Sequence, residues 1–144
     1  MRYPKISIVT PSFNQGAFIE ETIISVLGQD YPQLEYLIVD GGSTDNTIDV
    51  LKKYEDRIDY WVSEKDSGQS EAINKGFMHA TGEIVSWLCS DDLYLPGTLN
   101  KVAEVFADNP ESIMIHGQSV LFDAQGKEEV KAADLKDIHL RYYS

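Results

Sequence analysis

Short apolar runs alternate with longer amphipathic stretches through the first four-fifths of the chain. The short runs are rich in β-branched residues and predict strands at 5–10, 34–39, 58–62, 84–88 and 113–115. The longer stretches carry apolar residues at helical spacing and predict helices at 17–29, 43–54, 70–79 and 96–109, the second of them capped by Ser43 or Thr44. Strands that alternate with helices predict an α/β fold, in which a mostly parallel sheet carries helices on both faces.

The last part of the chain has a different pattern. Residues 120–122, followed by turn-forming residues at 123–126, predict one arm of a hairpin. Residues 127–144 mix charged residues with isolated apolar ones, so we expect a polar tail in which no strand holds the acids. These acids are Glu128, Glu129, Asp134 and Asp137. We therefore predict one domain at 1–126 and a tail at 127–144.

The net charge is −12, with 24 acidic and 12 basic residues. This balance argues against a nucleic-acid partner and against a membrane surface recognised by charge alone. Cys89 is the one cysteine, which excludes an intrachain disulfide and fits a reducing compartment. The chain has no apolar stretch long enough for a signal peptide or a membrane span. We expect a cytoplasmic protein, and a peripheral position at the inner face of the membrane is compatible with this.

Polar residues and glycines follow each of the first four predicted strands. Ser12, Phe13, Asn14 and Gly16 follow the first strand, Asp40, Gly41 and Gly42 the second, Glu64, Asp66 and Gly68 the third, and Ser90, Asp91 and Asp92 the fourth. In an open parallel sheet, ligands bind at the carboxyl ends of the strands. Carboxylates crowded at one edge repel each other unless a cation lies among them or some hold protons. The pattern therefore predicts a hard divalent cation together with a phosphate-bearing ligand, without naming a reaction.

Other phosphate-binding and hydrolytic patterns do not occur in the sequence. No G-x-G-x-x-G follows the first strand, and the chain has neither a G-x-x-x-x-G-K-[ST] nor a G-x-S-x-G motif. Asp45 either caps a helix or binds a ligand, and both alternatives stay open.

Four segments in order along the chain resemble family 2 glycosyltransferases. They are residues 9–16 (VTPSFNQG), 38–47 (IVDGGSTDNT), 71–83 (EAINKG, then ATGE) and 90–97 (SDDLYLPG). The resemblance implies the Rossmann-like GT-A fold and a nucleotide-sugar donor. It is nearest to members that build bacterial surface polysaccharides such as O-antigen.

The resemblance also implies a role for each candidate residue. The donor-binding set would be Pro11, Ser12, Phe13, Asn14, Asp40, Gly41, Asp66, Gly68 and Asp91. Within this set, residues 11–13 would line the base pocket, although core packing of Phe13 is an equal alternative. Asp91 and Asp92 would hold Mg²⁺ or Mn²⁺, and which of the two is the main ligand stays open.

Two positions depart from the family pattern. Many members have a second acid where Gly41 stands, so part of the base contact is either missing here or supplied by backbone. Some members have an aspartate where Cys89 stands, and we expect Cys89 to be a buried strand-end residue. Lys75 is the positively charged residue that is best placed to meet a diphosphate. The alternative is that Lys75 is an ordinary solvated lysine on a helix surface. Trp61 and Trp87 fall in predicted strands, where we expect core positions.

In function, the resemblance implies an inverting, metal-dependent transfer of sugar from a nucleotide sugar, with a UDP-sugar favoured. The acceptor would be a saccharide or a lipid-linked saccharide, and a homo-oligomer is compatible with this reading. The general base would lie outside this chain, so we expect donor binding without efficient transfer. Two alternatives are a non-catalytic nucleotide-sugar-binding domain and a sugar-phosphate nucleotidyltransferase. The second would need a glycine-rich, basic loop, and residues 11–16 contain one glycine and no lysine or arginine.

Overall fold

A computed structural model describes residues 3–117, 119–122 and 128–131. The chain divides into two compact units, residues 1–104 and 105–144, and each is described by itself. The first unit contains β1 (Ile6–Ser12), α1 (Ile19–Leu27), β2 (Leu34–Asp40), α2 (Thr47–Lys53), a 3₁₀ turn (Glu55–Arg57), β3 (Tyr60–Ser63), α3 (Gln69–His79) and β4 (Ile84–Trp87). Helix α4 (Thr98–Asp108) begins in the first unit and ends in the second, which also contains β5 (Ser119–Phe122) and β6 (Glu128–Lys131).

Four strands of the first unit form one parallel sheet in the order β3-β2-β1-β4. Ile6 at the start of β1 lies opposite Leu34 of β2 and Ile84 of β4. Because all pairs in this sheet are parallel, the carboxyl ends of the four strands lie along one edge. The predicted α/β class and the parallel sheet are confirmed.

The two faces of the sheet are covered by different helices. On one face, Ile8 and Ile38 belong to a buried cluster with residues of α1, α2 and α4. Neighbouring residues of a strand point to opposite faces, and Val9 of β1 packs against α3 on the second face. A Cβ at Gly76 of α3 would lie 2.3 Å from Val9 Cγ1, so glycine permits this close approach. Helices on both faces, as predicted, are confirmed.

A part-buried ion pair lies at the end of the sheet opposite the carboxyl edge. The Glu35 carboxylate at the start of β2 accepts hydrogen bonds from Lys5 Nζ at 2.6 Å and from Ser7 Oγ at 2.5 Å. It also accepts the Thr81 N–H at 2.7 Å. Burial acts to raise the pKa of Glu35, but these hydrogen bonds outweigh it and lower the pKa to about 2. Glu35 therefore ties β1 and β2 to the segment that leads into β4.

Three predictions about secondary structure are wrong. Residues 113–115 form no strand, and Ile113 is 77% exposed, because three apolar residues do not specify a strand without a pairing edge. Helix α2 begins at Thr47 and not after Ser43 or Thr44. Strand β6 includes Glu128 and Glu129, which the sequence analysis left without a strand.

The predicted hairpin arm at 120–122 is confirmed, because β5 pairs antiparallel with β6. The turn predicted at 123–126 and the aspartates at 134 and 137 lie outside the described residues. The domain boundary at residue 126 stays a prediction. Among the residues that the structure describes, no helix has both the length and the apolar character needed to cross a bilayer.

The two strand tryptophans differ from each other. Trp61 on β3 is half-buried against the core, as expected. Trp87 on β4 is 53% exposed, so its predicted core position is wrong. Because β4 is an edge strand of the described sheet, one face of Trp87 contacts Phe77 of α3 and the rest stays open.

Candidate functional site

A cavity of about 650 Å³ lies along the carboxyl edge of the sheet. It is lined by Pro11, Ser12, Phe13, Gln15, Gly41, Lys65, Asp66, Gly68, Gln69, Ala72, Cys89, Ser90 and Asp91. Seven of the nine predicted donor-binding residues are in this lining, and Asn14 and Asp40 are not. The structure therefore brings residues from all four strand ends together, as the parallel sheet requires.

The end of β1 supplies one wall of the cavity. Phe13 is 59% exposed, so the alternative that it packs in the core is wrong. The Ser12 hydroxyl oxygen is buried and has no hydrogen-bond partner among the described residues. A buried hydroxyl without a partner is costly, and this one belongs to a residue that lines a cavity. It therefore points to a polar ligand group or a bound water at this wall.

The loops after β1 and β2 are joined by side-chain hydrogen bonds. The Asn14 N–H donates to Ser43 Oγ at 2.7 Å, and the Gly16 N–H donates to Asp45 Oδ2 at 2.9 Å. Asp45 Oδ1 accepts the Thr47 N–H at 3.0 Å and the Thr47 hydroxyl at 2.5 Å. The hydrogen bond from the Thr47 side chain is the main reason that the pKa of Asp45 is lowered. Asp45 thus forms an Asx turn just before α2, whose N-cap residue is Asn46, and holds the neighbouring loop.

Asp40 ends β2 and is completely buried. Its Oδ2 accepts the N–H groups of Gly42 at 3.1 Å and Ser43 at 2.8 Å, and the Ser63 hydroxyl at 2.6 Å. Its Oδ1 accepts the Ser43 hydroxyl at 2.5 Å. The structure therefore places the Asp40 carboxylate in the turn after β2, and its role in donor binding stays a prediction.

The loop after β3 brings an acid and a glycine to the cavity. Asp66 is half-buried, and its Oδ1 accepts the Gly68 N–H at 2.9 Å. Gly68 has φ +128°, a backbone conformation that side chains with a Cβ rarely adopt. The glycine therefore fixes the sharp turn from β3 into α3, and this turn places Asp66 at the cavity wall.

Three potential metal ligands follow β4. The Cys89 sulfur and one carboxylate oxygen each from Asp91 and Asp92 lie within 4.8 Å of one another. Burial and the neighbouring Asp91 raise the pKa of Asp92, while the Cys89 thiol has a weaker, lowering effect. Burial, Asp92 and Asp91 likewise raise the pKa of Cys89. A cation would relieve this repulsion, so the donor set fits a divalent metal ion. Cys89 is half-buried, so the expectation that it is a buried strand-end residue is wrong.

Two lysines near the site have different surroundings. Lys65 lines the cavity, and its ammonium group has no partner among the described residues. Lys75, the cation chosen from the sequence, forms an ion pair with Glu64. Lys65 is therefore better placed than Lys75 to meet an anionic ligand.

Four lining residues were missed by the sequence analysis: Gln15, Lys65, Gln69 and Ala72. Gln69 and Ala72 stand three positions apart in the first turn of α3, so they share one face of the helix. The signal that could have found Gln69 and Ala72 was the start of a helix directly after the strand-end glycine Gly68.

A parallel α/β sheet with an acid cluster and a cavity at its carboxyl edge fits a domain of the GT-A class. The sequence model of Glycosyl transferase family 2 matches residues 7–134. The chain therefore belongs to glycosyltransferase family 2, and the resemblance drawn from its motifs is confirmed.

The chain is similar to several named members of this family. It is 38% identical over 121 residues to TuaG of Bacillus subtilis, named as a glycosyltransferase of teichuronic acid biosynthesis, covering 82% of this chain and 48% of that protein. Its fold is similar to S. aureus TarS in complex with UDP, with a TM-score of 0.67, 30% identity, and coverage of 82% of this chain and 34% of that one.

A third similar protein is the mannosyltransferase PcManGT of Pyrobaculum calidifontis, in complex with GDP-Man and Mn²⁺. The TM-score is 0.65 and the identity is 30%, over 72% of this chain and 32% of that one. The chain spans about half the length of TuaG and less of the two solved structures.

Proposed function

We propose that this chain is the donor-binding part of an inverting glycosyltransferase that uses a UDP-sugar in the synthesis of a surface polysaccharide. The observation that carries the proposal is the cavity at the carboxyl edge, which is lined by Ser12, Asp66 and Asp91. Asp92 lies next to this lining, with a carboxylate oxygen within 4.8 Å of one from Asp91. The UDP complex of TarS and the name of TuaG support the nucleotide and the product class.

The nucleoside would bind between the end of β1 and the loop after β3. Phe13 offers an exposed aromatic ring, and Ser12 offers a buried hydroxyl that lacks a partner. Gly68 allows close approach of backbone to the ligand. Asn14 would act indirectly, because its hydrogen bond to Ser43 holds the β1 loop in place.

Asp91 and Asp92 would hold Mg²⁺ or Mn²⁺ at the diphosphate. A divalent cation bound there supplies positive charge that stabilises the departing nucleoside diphosphate. PcManGT, whose structure contains Mn²⁺, supports a metal at this type of site. Asp91 lines the cavity and Asp92 does not, so Asp91 would also face the nucleotide.

The transfer itself needs a base and an acceptor. The acceptor hydroxyl, from a saccharide or a lipid-linked saccharide, attacks the anomeric carbon while the bond to the nucleoside diphosphate breaks, and configuration inverts. A carboxylate held within hydrogen-bond reach removes the hydroxyl proton. We assign that base to the region of the relatives that this chain does not cover.

Calorimetry of the chain with UDP in Mn²⁺ and in EDTA tests the proposal. We expect binding that falls at least about tenfold when the metal is removed. Asp49→Asn is a suitable control, because Asp49 is an exposed α2 acid outside the cavity lining. Equal affinity with and without metal would contradict the metal site.

A nucleotidyltransferase would instead prefer UTP with a sugar phosphate and release pyrophosphate. A non-catalytic module would bind UDP-sugar, but a chain extended to the length of its relatives would transfer no labelled sugar to any saccharide acceptor.

A further inference from the structure

The segment between β4 and α4 carries Asp91 and Asp92 but has little regular structure of its own. Asp91 lies in a turn, and residues 92–95 belong to neither a helix nor a strand. The Asp92 N–H donates to the Cys89 carbonyl oxygen at 3.0 Å, which closes that turn. A segment without its own backbone ladder is held in place by its contacts with other elements. The position of the two acids therefore depends on what binds the residues after them.

Gln29, two residues after the end of α1, binds this segment with both ends of its side-chain amide. The residue is only 3% exposed. Its Nε2 donates to the Leu95 carbonyl oxygen at 3.0 Å and to the Ser25 carbonyl oxygen at 2.9 Å. Its Oε1 accepts the Leu99 N–H at 3.2 Å. Leu99 lies in the first turn of α4, where backbone N–H groups have no partner within the helix. One buried amide thus joins the last turn of α1 to the start of α4.

Ser25 of α1 holds the same segment at a second point. Its Oγ accepts the Tyr94 N–H at 3.2 Å and donates to the Thr22 carbonyl oxygen at 2.8 Å. Tyr94 stands two positions after Asp92 and packs against the buried core cluster. Neither Ser25 nor Gln29 is in the cavity lining. Both side chains can therefore act on a bound ligand only through the segment that they hold.

The hydrogen bonds at position 29 require an amide. A carboxamide offers two N–H donors and an acceptor oxygen in one planar group, and here both kinds of atom are used. An ionised carboxylate would have no hydrogen for the two carbonyl oxygens. A methionine of similar size would replace neither the donors nor the acceptor. The Gln29→Met variant therefore removes the hydrogen bonds and keeps most of the buried volume.

We propose, resting on the function proposed above, that Gln29 and Ser25 are positioning residues of the metal site. They hold residues 92–99 against α1, and so keep the carboxylates of Asp91 and Asp92 at the separation that a divalent cation needs. Two neighbouring carboxylates repel each other, so without this support they would move apart. Side chains that orient the direct ligands of a metal ion set its affinity in this way.

Substitution of Gln29 tests the proposal. Calorimetry measures the affinity for UDP in Mn²⁺ and in EDTA, and the difference between the two isolates the contribution of the metal. Gln29→Met should weaken UDP binding in Mn²⁺ about tenfold, as loss of a residue that orients metal ligands does, and should leave binding in EDTA within about twofold. A residue with a purely structural role would not produce this split. Equal weakening with and without metal, or a folded variant with unchanged binding in Mn²⁺, overturns the proposal.

A second variant and two controls complete the test. Ser25→Ala removes one of the holding contacts, so it should show the same split at about threefold in Mn²⁺, and it carries the test if thermal unfolding shows that Gln29→Met does not fold. Gln33→Met makes the same change at an exposed glutamine. Glu35→Gln weakens the sheet at the end opposite the acids. Both controls should keep the unaltered affinities, and a metal-dependent loss in Glu35→Gln would show that general destabilisation produces the effect.

Failure of the inference is distinguishable from failure of the proposed function. If the unaltered chain binds UDP equally in Mn²⁺ and in EDTA, the proposed metal site fails and this inference falls with it. If the unaltered chain needs metal and both folded variants keep its affinity, only the positioning role of Gln29 and Ser25 is wrong.

Discussion

Carboxylates at the same edge of the sheet fall into two groups with opposite surroundings. After β2, Asp40 accepts four hydrogen bonds and Asp45 accepts three, all from groups of the protein. After β4, Asp91 accepts none from the described residues, and the Cys89 thiol is the side-chain donor beside Asp92. The first group is saturated and holds loops in place, whereas the second is left open for a cation or a ligand.

The contrast shows that an acid at a strand end has no fixed function. A saturated carboxylate gains little from a ligand, because its lone pairs are already used. An open carboxylate beside another acid is held in an unfavourable state that a cation relieves. We therefore expect hydrogen-bond saturation to separate structural acids from ligand-binding ones more clearly than position in the chain does.

Asp40→Ala should have the largest effect of the changes considered, and the effect should be on stability. It leaves the donors of Gly42, Ser43 and Ser63 without the fully buried acceptor that they share. We expect a loss of about 4 kcal/mol in the free energy of unfolding, measured by urea denaturation at pH 7. Asp49→Ala should change it by less than about 0.5 kcal/mol. A stable Asp40→Ala variant that no longer binds UDP would move Asp40 into the open group.

Glu35→Gln extends the contrast to the opposite end of the sheet, where another acid is saturated. The pKa of Glu35 is lowered from 4.5 to about 2, so its stabilising contribution is fully present above pH 4.5 and is lost as the pH falls toward 2. We expect the substitution to cost up to about 3 kcal/mol at pH 7. The difference in the free energy of unfolding between the unaltered chain and Glu35→Gln should narrow when unfolding is measured at successively lower pH below 4.5. A difference that does not depend on pH would show that the ion pair with Lys5 contributes little.

Much of the fold could be predicted because its signals are local. The buried strand β2 is a nearly continuous apolar run, β1 is a short segment rich in β-branched residues, and α1 and α3 have clear helical spacing. The run at 113–115 looks similar, but strand formation also needs a partner, which the run does not specify. The start of α2 was misplaced because Ser43 bonds to Asp40 and Asn14 and does not cap the helix.

The site could be predicted only at the level of strand ends. The topology of a parallel sheet brings residues 12–13, 66–68 and 90–92 to one edge whatever their side chains do. Which acids remain open depends on loop hydrogen bonds, and Asp40 and Asp91 are indistinguishable without them. The choice between Lys65 and Lys75 likewise depends on the ion pair with Glu64, which is set by the turn after β3.

Asp92→Asn and Asp45→Asn compare one open acid with one saturated acid. Asp92→Asn should weaken UDP binding in Mn²⁺ about 30-fold, or about 2 kcal/mol, because an amide is a poorer ligand for a hard cation. Asp45→Asn should leave binding within about threefold and reduce stability by at most about 1 kcal/mol, because the asparagine oxygen can still accept the hydrogen bonds from Thr47. Calorimetry and urea denaturation of both variants measure the two effects. If Asp45→Asn weakens binding more than Asp92→Asn, the division into saturated and open acids does not predict function.

Lys65→Ala and Lys75→Ala apply the same distinction to cations and should give the smallest effects. Lys65 is exposed at the cavity and has no described partner, whereas Lys75 is neutralised by Glu64. An exposed charge contributes roughly 0.2–1 kcal/mol, so Lys65→Ala should weaken UDP binding about threefold and Lys75→Ala by less than about twofold. The effect of Lys65→Ala should shrink in high salt, because exposed charges are screened. Uridine, which carries no phosphate, should bind both variants as it binds the unaltered chain. An equal loss for uridine and UDP in Lys65→Ala would show that Lys65 contacts the nucleoside and not the diphosphate.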